Sequence, residues 1–231
     1  MKISVIIPTF KEEGVGNLIS FLKSNAEPGT ICEIIVSDGG SPDQTAALAH
    51  NAGATVISSP EKGRAAQMNF GASHAVGDIL YFLHADSYPP EGFATEMLSS
   101  VKAGFDAGSY RLRLDDDHWF LRLNCWFTRF NVNAFRFGDQ SLFVTRHLFS
   151  TCNGFKNLIF MEDQEIISRL KKQGRFRVLP RAVTTSARKY RDNGIFRLQA
   201  IYFLIWFMYK AGASQQQILK RYRLLIRQDK L

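Results

Sequence analysis

The chain has 231 residues, 45% of them hydrophobic, and a formal net charge of +8; it can bury one sizeable core, and no internal repeat or low-complexity tract divides it. Cys32, Cys125 and Cys152 are odd in number and lack C-x-x-C spacing, which argues against a disulfide framework or a thiolate metal site and for a reducing cytosol. Met1-Lys2-Ile3-Ser4 leads straight into a strand pattern with no charged n-region or long apolar h-region, so no secretory signal is expected and a cytoplasmic location follows.

In chain order, residues 3–7, 31–37, 54–58 and 79–83 read as short buried strands. Residues 12–24, 43–51, 64–74 and 91–101 read as helices between and after them, with Gly53 and Gly77 as stops and Pro42 and Pro90 near starts. The alternation predicts an α/β fold with a mostly parallel, doubly wound sheet and right-handed crossovers. Asp38 and Asp86 each close an apolar run of strand length. Two carboxylates are therefore expected at the C-terminal edge of one sheet, where open α/β sheets bind ligands.

Between the third and fourth strands lies Glu61-Lys62-Gly63-Arg64-Ala65-Ala66-Gln67. Its glycine turn feeds a helix start, so backbone N–H groups and the charges of Lys62 and Arg64 can face a diphosphate; an ordinary solvated helix start is the alternative, and the Walker order is absent. Further on come a strand at 110–114, an aromatic-rich helix at 118–130, the loop and strand of Phe137-Gly138-Asp139-Gln140-Ser141-Leu142-Phe143-Val144, and a helix at 162–173. That last helix opens with Glu162 and Asp163, whose charges suit a helix N-terminus whether or not they do chemistry.

Four pieces in order carry a resemblance: Val5-Ile6-Ile7-Pro8-Thr9-Phe10-Lys11-Glu12; Ser37-Asp38-Gly39-Gly40-Ser41; Gly63 to Gly71 with Tyr81-Phe82-Leu83-His84-Ala85-Asp86; and Met161-Glu162-Asp163. Over residues 1–185 the chain resembles family-2 glycosyltransferases with the GT-A nucleotide-sugar fold, in particular small bacterial members with His-Ala-Asp where relatives carry Asp-x-Asp. The resemblance implies transfer of a sugar from a nucleoside-diphosphate sugar to an acceptor hydroxyl, with inversion. It implies that Pro8, Thr9, Glu12 and Asp38 hold base and ribose, and that Lys62, Gly63, Arg64, His84, Ala85 and Asp86 line the diphosphate and sugar. Asp86 would ligate a divalent Mn or Mg ion, with His84 a poorer Mg²⁺ ligand that Mn²⁺ accepts. Asp163 would be the catalytic base, and Gly138, Asp139, Gln140 and Glu162 would contact acceptor or sugar. Asp38 as an N-cap, Glu12 as a first-turn helix acid and Asp139 and Gln140 as a solvated turn are the plain alternatives.

From Ser186 onward ten Lys and Arg face Asp192 and Asp229, so the net charge sits in residues 186–231. Arg188 and Lys189 are candidates to clamp the diphosphate, or belong to a solvated basic loop. Residues 200–209 are apolar all round but far short of the ~20 residues of a membrane span. The expectation is a C-terminal helical appendage packed on the domain, on a second copy, or on an anionic membrane at its inner face, where it would meet a lipid-linked acceptor. No nucleic-acid-binding motif accompanies the charge. A non-catalytic nucleotide-sugar-binding or membrane-associated module is the competing class.

Overall fold

The computed structural model describes residues 1–135 and 138–227; Phe137 of the expected loop and residues 228–231 of the tail lie outside them. The first half alternates β1 (Ile3–Thr9), α1 (Val15–Asn25), β2 (Ile31–Asp38), α2 (Thr45–Asn51), β3 (Thr55–Ser58), α3 (Arg64–His74) and β4 (Ile79–Phe82). These strands lie in the order β3-β2-β1-β4, all parallel. Their carboxyl ends share one edge, Thr9 beside Asp38 and Asp38 beside Ser58.

Every residue of β1 is buried, and the strand period sorts them between two layers. Ile3, Val5 and Ile7 pack with Leu18 and Leu22 of α1 and with Phe93 and Met97 of α4 (Phe93–Lys102). Ile6 points the other way, into a cluster with Ala65, Met68 and Ala72 of α3. Helix α3 lies so close to β1 that a Cβ on Gly71 would sit 2.6 Å from Ile6 Cγ2. Gly63, which launches α3, has φ of +120°, a conformation only glycine adopts readily.

The second half extends the sheet with β7 (Leu142–Thr145), β6 (Ala107–Leu114), β8 (Phe176–Thr185) and the two-residue β5 (Ser87–Tyr88), giving β3-β2-β1-β4-β7-β6-β8-β5. Here β7 runs antiparallel to both β4 and β6, whereas β6 and β8 are parallel. α5 (Trp119–Phe127) follows β6, α6 (Arg146–Thr151) follows β7, and α7 (Glu162–Gln173) covers the face shared with α3. The helix expected at 118–130 stops at Phe127, because the Thr128 hydroxyl turns back onto the Cys125 carbonyl and accepts the Leu112 amide. The helix expected from residue 12 starts at Val15, so Glu12 lies in the turn before it and not in its first turn.

The tail forms α8 (Arg188–Asn193), α9 (Ile195–Lys210) and α10 (Gln215–Leu225). α10 opens with a capping box between Ser214 and Gln217. Leu198, Ile201 and Ile205 of α9 and Ile218 and Tyr222 of α10 close a third cluster on Ile159, Phe160 and Met161. Only one stripe of α9 is covered; Phe196, Phe203 and Phe207 are 58%, 61% and 66% exposed. No helix among the described residues is long and apolar enough to cross a membrane.

Candidate active site

At the common strand edge, Asp38 is buried and both its oxygens are engaged. Oδ2 accepts the Gly40 and Ser41 amides at 3.0 and 2.8 Å, and Oδ1 accepts the Ser41 and Thr9 hydroxyls at 2.6 and 3.0 Å. A carboxylate offers about four lone-pair positions, so a nucleobase N–H would have to replace one of the two hydroxyls. The buried Gln67 side chain of α3 donates to the carbonyls of Thr9 and Ser37 at 2.7 Å each and so fixes the ends of β1 and β2 against α3. Lys62 lies with its ammonium 5.3 Å from the centre of the Phe10 ring. Asp43 accepts the Thr45 amide at 3.1 Å from one residue ahead of Gln44, the cap position of α2.

A second group gathers where α3, β4 and α7 meet. Arg64 Nε lies 2.9 Å from Glu162 Oε1, an ion pair in which neither of these buried atoms makes a hydrogen bond; the Arg64 side chain is still 38% exposed. His84 Nδ1 lies 3.1 Å from Asp139 Oδ1. Burial alone would lower the His84 pKa, but the Asp139 bond reverses this and holds it above the usual imidazole value. The same bond holds Asp139 below the carboxylate range against its own burial. Burial pushes Glu162 up to about 7, opposed by Arg64 and assisted by Asp163. Asp163 is likewise raised by burial, against the attraction of His84 and Arg64. Asp163 and His84 share a cavity of about 10 Å³ with Ser141, room for about one water molecule.

The loops here are strained in places that matter. Lys11, Ser141 and Met161 are non-glycine residues with φ of 56°, 56° and 66°, conformations that persist only where surroundings impose them. For Met161 the imposing groups are visible. Gln215 Oε1 of α10 accepts the Ile159 and Phe160 amides at 3.0 Å each, immediately ahead of the turn that presents Glu162 and Asp163.

A cleft of about 430 Å³ opens beside this group and is lined by Glu12, Asp43, Ala85, Asp86, Asp115 and Arg188, among others. Asp38, Arg64, Glu162 and Asp163 are not in its lining. The turn His84-Ala85-Asp86 joins the two regions, since His84 faces the Asp163 cavity and Asp86 the cleft. Asp115 was not foreseen. It closes β6 at the same cleft, accepts the Ala187 amide and pairs with Arg191 at 3.2 Å; the run Asp115-Asp116-Asp117 after an apolar strand was the available signal. Gln140 is buried, with its amide on the Phe135 carbonyl, and so braces its loop. Gly138 opens the 3₁₀ turn that carries Asp139. Lys189 sits on the exposed side of α8, close enough to Asp139 to lower its pKa.

No three His, Cys, Asp or Glu side chains among the described residues are grouped to hold a metal ion. Asp86 Oδ1 has only distant contacts, the Ser87 and Thr185 hydroxyls at 3.5 Å, so its lone pairs are largely available to the cleft. A hard cation that takes most of its oxygens from a diphosphate and water needs only one or two protein carboxylates, and Asp86 fits that thin donor set. His84 does not add to it through Nδ1, which Asp139 occupies.

A family model described as glycosyl transferase family 2 matches residues 4–162. Among curated proteins, a dolichol-phosphate mannosyltransferase of Pyrococcus furiosus is 33% identical over 112 residues, 46% of this chain and 32% of its own length. Protein RfbJ of Shigella flexneri is 34% identical over 100 residues, 43% of this chain and 75% of RfbJ. The matched part thus spans about a third of the mannosyltransferase. Among solved structures, the mannosyltransferase PcManGT from Pyrobaculum calidifontis, in complex with GDP-Man and Mn²⁺, superposes with a TM-score of 0.69 at 18% identity, covering 97% of this chain and 69% of that one. S. aureus TarS 1-349 in complex with UDP-GlcNAc gives 0.65 at 16% identity, covering 97% and 71%. At these identities the likeness to solved structures is one of fold.

Proposed function

The chain belongs to glycosyl transferase family 2, and from that premise we propose that it transfers a sugar, with inversion, from a nucleoside-diphosphate sugar to an acceptor hydroxyl. The observation that carries the reading is the pair Glu162 and Asp163 at the head of α7. Both are raised in pKa by burial and face a guanidinium and a His–Asp pair at the carboxyl edge of the sheet. Perturbed acids beside fixed cations at such an edge mark reactive sites.

In this reading the donor lies in the cleft, with Glu12 and the end of β1 at Pro8 and Thr9 toward the nucleoside. Arg188, in the cleft lining, faces the diphosphate, and in this reading Lys62, Gly63 and Arg64 approach it from the start of α3, outside that lining. Asp86 would hold a Mn²⁺ or Mg²⁺ ion, which supplies positive charge to the leaving diphosphate. Asp163 takes the acceptor hydroxyl proton as that oxygen bonds to the anomeric carbon and the bond from that carbon to the diphosphate oxygen breaks; the proton rests on Asp163 and the electron pair leaves with the diphosphate. Glu162 keeps Arg64 aimed at the site, and Asp139 keeps His84 oriented. The basic, aromatic-rich residues 186–231 support extending this reading to a lipid-linked acceptor met in the cytoplasm at the inner face of the membrane.

Asp163→Asn tests this. Nucleoside-diphosphate binding in the presence of Mn²⁺ should persist in calorimetry, while transfer, or donor hydrolysis before an acceptor is identified, should fall by about 10² to 10⁴. Wild-type turnover in the variant would remove Asp163 from the mechanism. A wild-type protein that binds nucleotide sugars but never turns them over would make the chain a binding module.

A further inference from the structure

The transfer site leaves one large feature unused, an outward apolar face built from two helices. On α5, Trp119, Leu123 and Trp126 are 63%, 45% and 44% exposed, and their spacing of four and three puts them on one side; beyond the helix end, Phe130, 42% exposed, extends the stripe by packing on Trp126 with ring centroids 5.1 Å apart. On α9, Phe196, Phe203 and Phe207, seven and four residues apart and so also on one side, are 58%, 61% and 66% exposed. The helices touch: Phe120 and Phe196 have ring centroids 4.8 Å apart, Trp119 and Phe196 6.4 Å, and Asn124 bonds Gln199 at 3.3 Å. These contacts join the first turns of α9 to α5, so Trp119 and Phe196 form one exposed aromatic corner from which the α9 stripe continues through Phe203 and Phe207. Contiguous apolar surface of this kind marks an interaction site.

Charge selects the occupant. Residues 118–135 and 193–227 contain no Asp or Glu, and exposed Arg122, Arg129, Arg197 and Lys210 belong to the two helices or their ends. Arg129 stacks over the Trp126 ring at 4.4 Å, and Lys210 lies 5.8 Å from that of Trp206. Of the three acids before α5, Asp115 and Asp116 are paired with Arg191 and Asp117 stands exposed at the helix start, one acid against the four cations. A two-fold contact with a second copy would set this basic face against itself. Aromatic side chains rimmed by an excess of cations instead match the interface of a bilayer rich in anionic lipid.

We propose that the joint α5 and α9 face seats the protein on an anionic membrane surface. The aromatic stripes enter the headgroup boundary and Arg122, Arg129, Arg197 and Lys210 meet the lipid charges. The run at 200–209 does not enter as a whole, because Ile201 and Ile205 are held in the third cluster. Presentation of a lipid-borne acceptor to the cleft would rest on the transferase reading; docking itself does not.

All three tryptophans, Trp119, Trp126 and Trp206, lie on these helices, so intrinsic fluorescence reports contact directly. The full chain is mixed with phosphatidylcholine vesicles with and without phosphatidylglycerol, without donor or acceptor. A blue shift and co-sedimentation confined to the anionic vesicles, weakened by added salt, are expected. The double substitution F203S with F207S, at exposed positions, should keep the thermal midpoint and lower partitioning by about a hundredfold; R129E with K210E should abolish the preference for anionic lipid. No binding, or equal binding to both vesicles, overturns the proposal. So does a wild-type dimer in ultracentrifugation that F203S with F207S dissociates, which would assign the face to a second copy. None of these readouts depends on sugar transfer, so failure here leaves the catalytic reading standing, and the reverse.

Discussion

Replacing Asp38 separates two roles that the sequence could not tell apart, reading a nucleobase and holding a loop. Its carboxylate accepts two amides and two hydroxyls. A hydrogen bond to a charged group contributes about 1.5 to 3 kcal/mol net, but the Gly40 amide is at an exposed residue and regains water when the acceptor goes. Counting the buried Thr9 hydroxyl and one bond from the half-buried Ser41 in full and the rest as replaced by water, Asp38→Ala should lose about 3 to 6 kcal/mol, a drop in Tm of roughly 6 to 24 °C for a chain of this size. Asp38→Asn retains one oxygen for the amides, and its new NH₂ can donate to hydroxyls free to rotate. Its loss should stay near 1 to 2 kcal/mol, the difference between charged and neutral bonds. Urea unfolding followed by fluorescence measures both. Calorimetry with nucleoside diphosphates on Asp38→Asn then isolates the base contact, where a tenfold or greater loss of affinity is expected from about 1.5 kcal/mol. An unchanged unfolding midpoint in Asp38→Ala would refute the loop-holding argument, and unchanged affinity in Asp38→Asn would leave Asp38 a purely structural acid.

Asp86→Asn should leave nucleotide binding intact without metal but remove its enhancement by Mn²⁺, seen as a thermal shift that no longer responds to the ion; a retained response would place the cation elsewhere. Because burial raises Glu162 to about 7 and raises Asp163 above its ordinary value, the acidic limb of kcat/KM should lie above the ~3.9 of an ordinary Asp, with activity rising toward pH 7. Stability should run the opposite way. A carboxyl group whose folded pKa exceeds its unfolded one stabilises most when protonated, and that contribution is lost as pH climbs from the unfolded value through about 7. A Tm that rises over that window would show that Glu162 is not held in this way.

Elements whose local and tertiary signals agree were legible. Helices α3 and α7 were read to the residue at both ends, because Gly63 and Met161-Glu162 mark their starts and apolar spacing marks their buried sides. Strand β8 escaped, since Phe-Arg-Val-Leu-Pro-Arg-Ala-Val-Thr-Thr neither alternates nor avoids proline, and its burial is irregular. Its partner β6 slips register opposite it between Ser109 and Arg111, a feature of the pairing that neither segment reveals alone. β5 exists only through its bonds to β8. In the site, the acids were identifiable by position but their partners were not. Arg64 with Glu162 and His84 with Asp139 join residues 98 and 55 apart in sequence, and the split between the Asp163 cavity and the Asp86 cleft arises only when β4, α3 and α7 converge.

The grip of Gln215 on the Ile159 and Phe160 amides bears on how this chain can be cut or re-engineered. A fragment ending at residue 185 would retain every strand of the sheet, yet it would expose Phe160 and Met161 and release the left-handed turn that aims two acids. Such a fragment could unfold cooperatively and still be a poor catalyst. The change in composition at Ser186 is therefore an unsafe place to trim a crystallisation target or to fuse a tag that displaces α10. Grafts that exchange acceptor preference between relatives should carry α9, α10 and the residue 159–161 segment as one cassette.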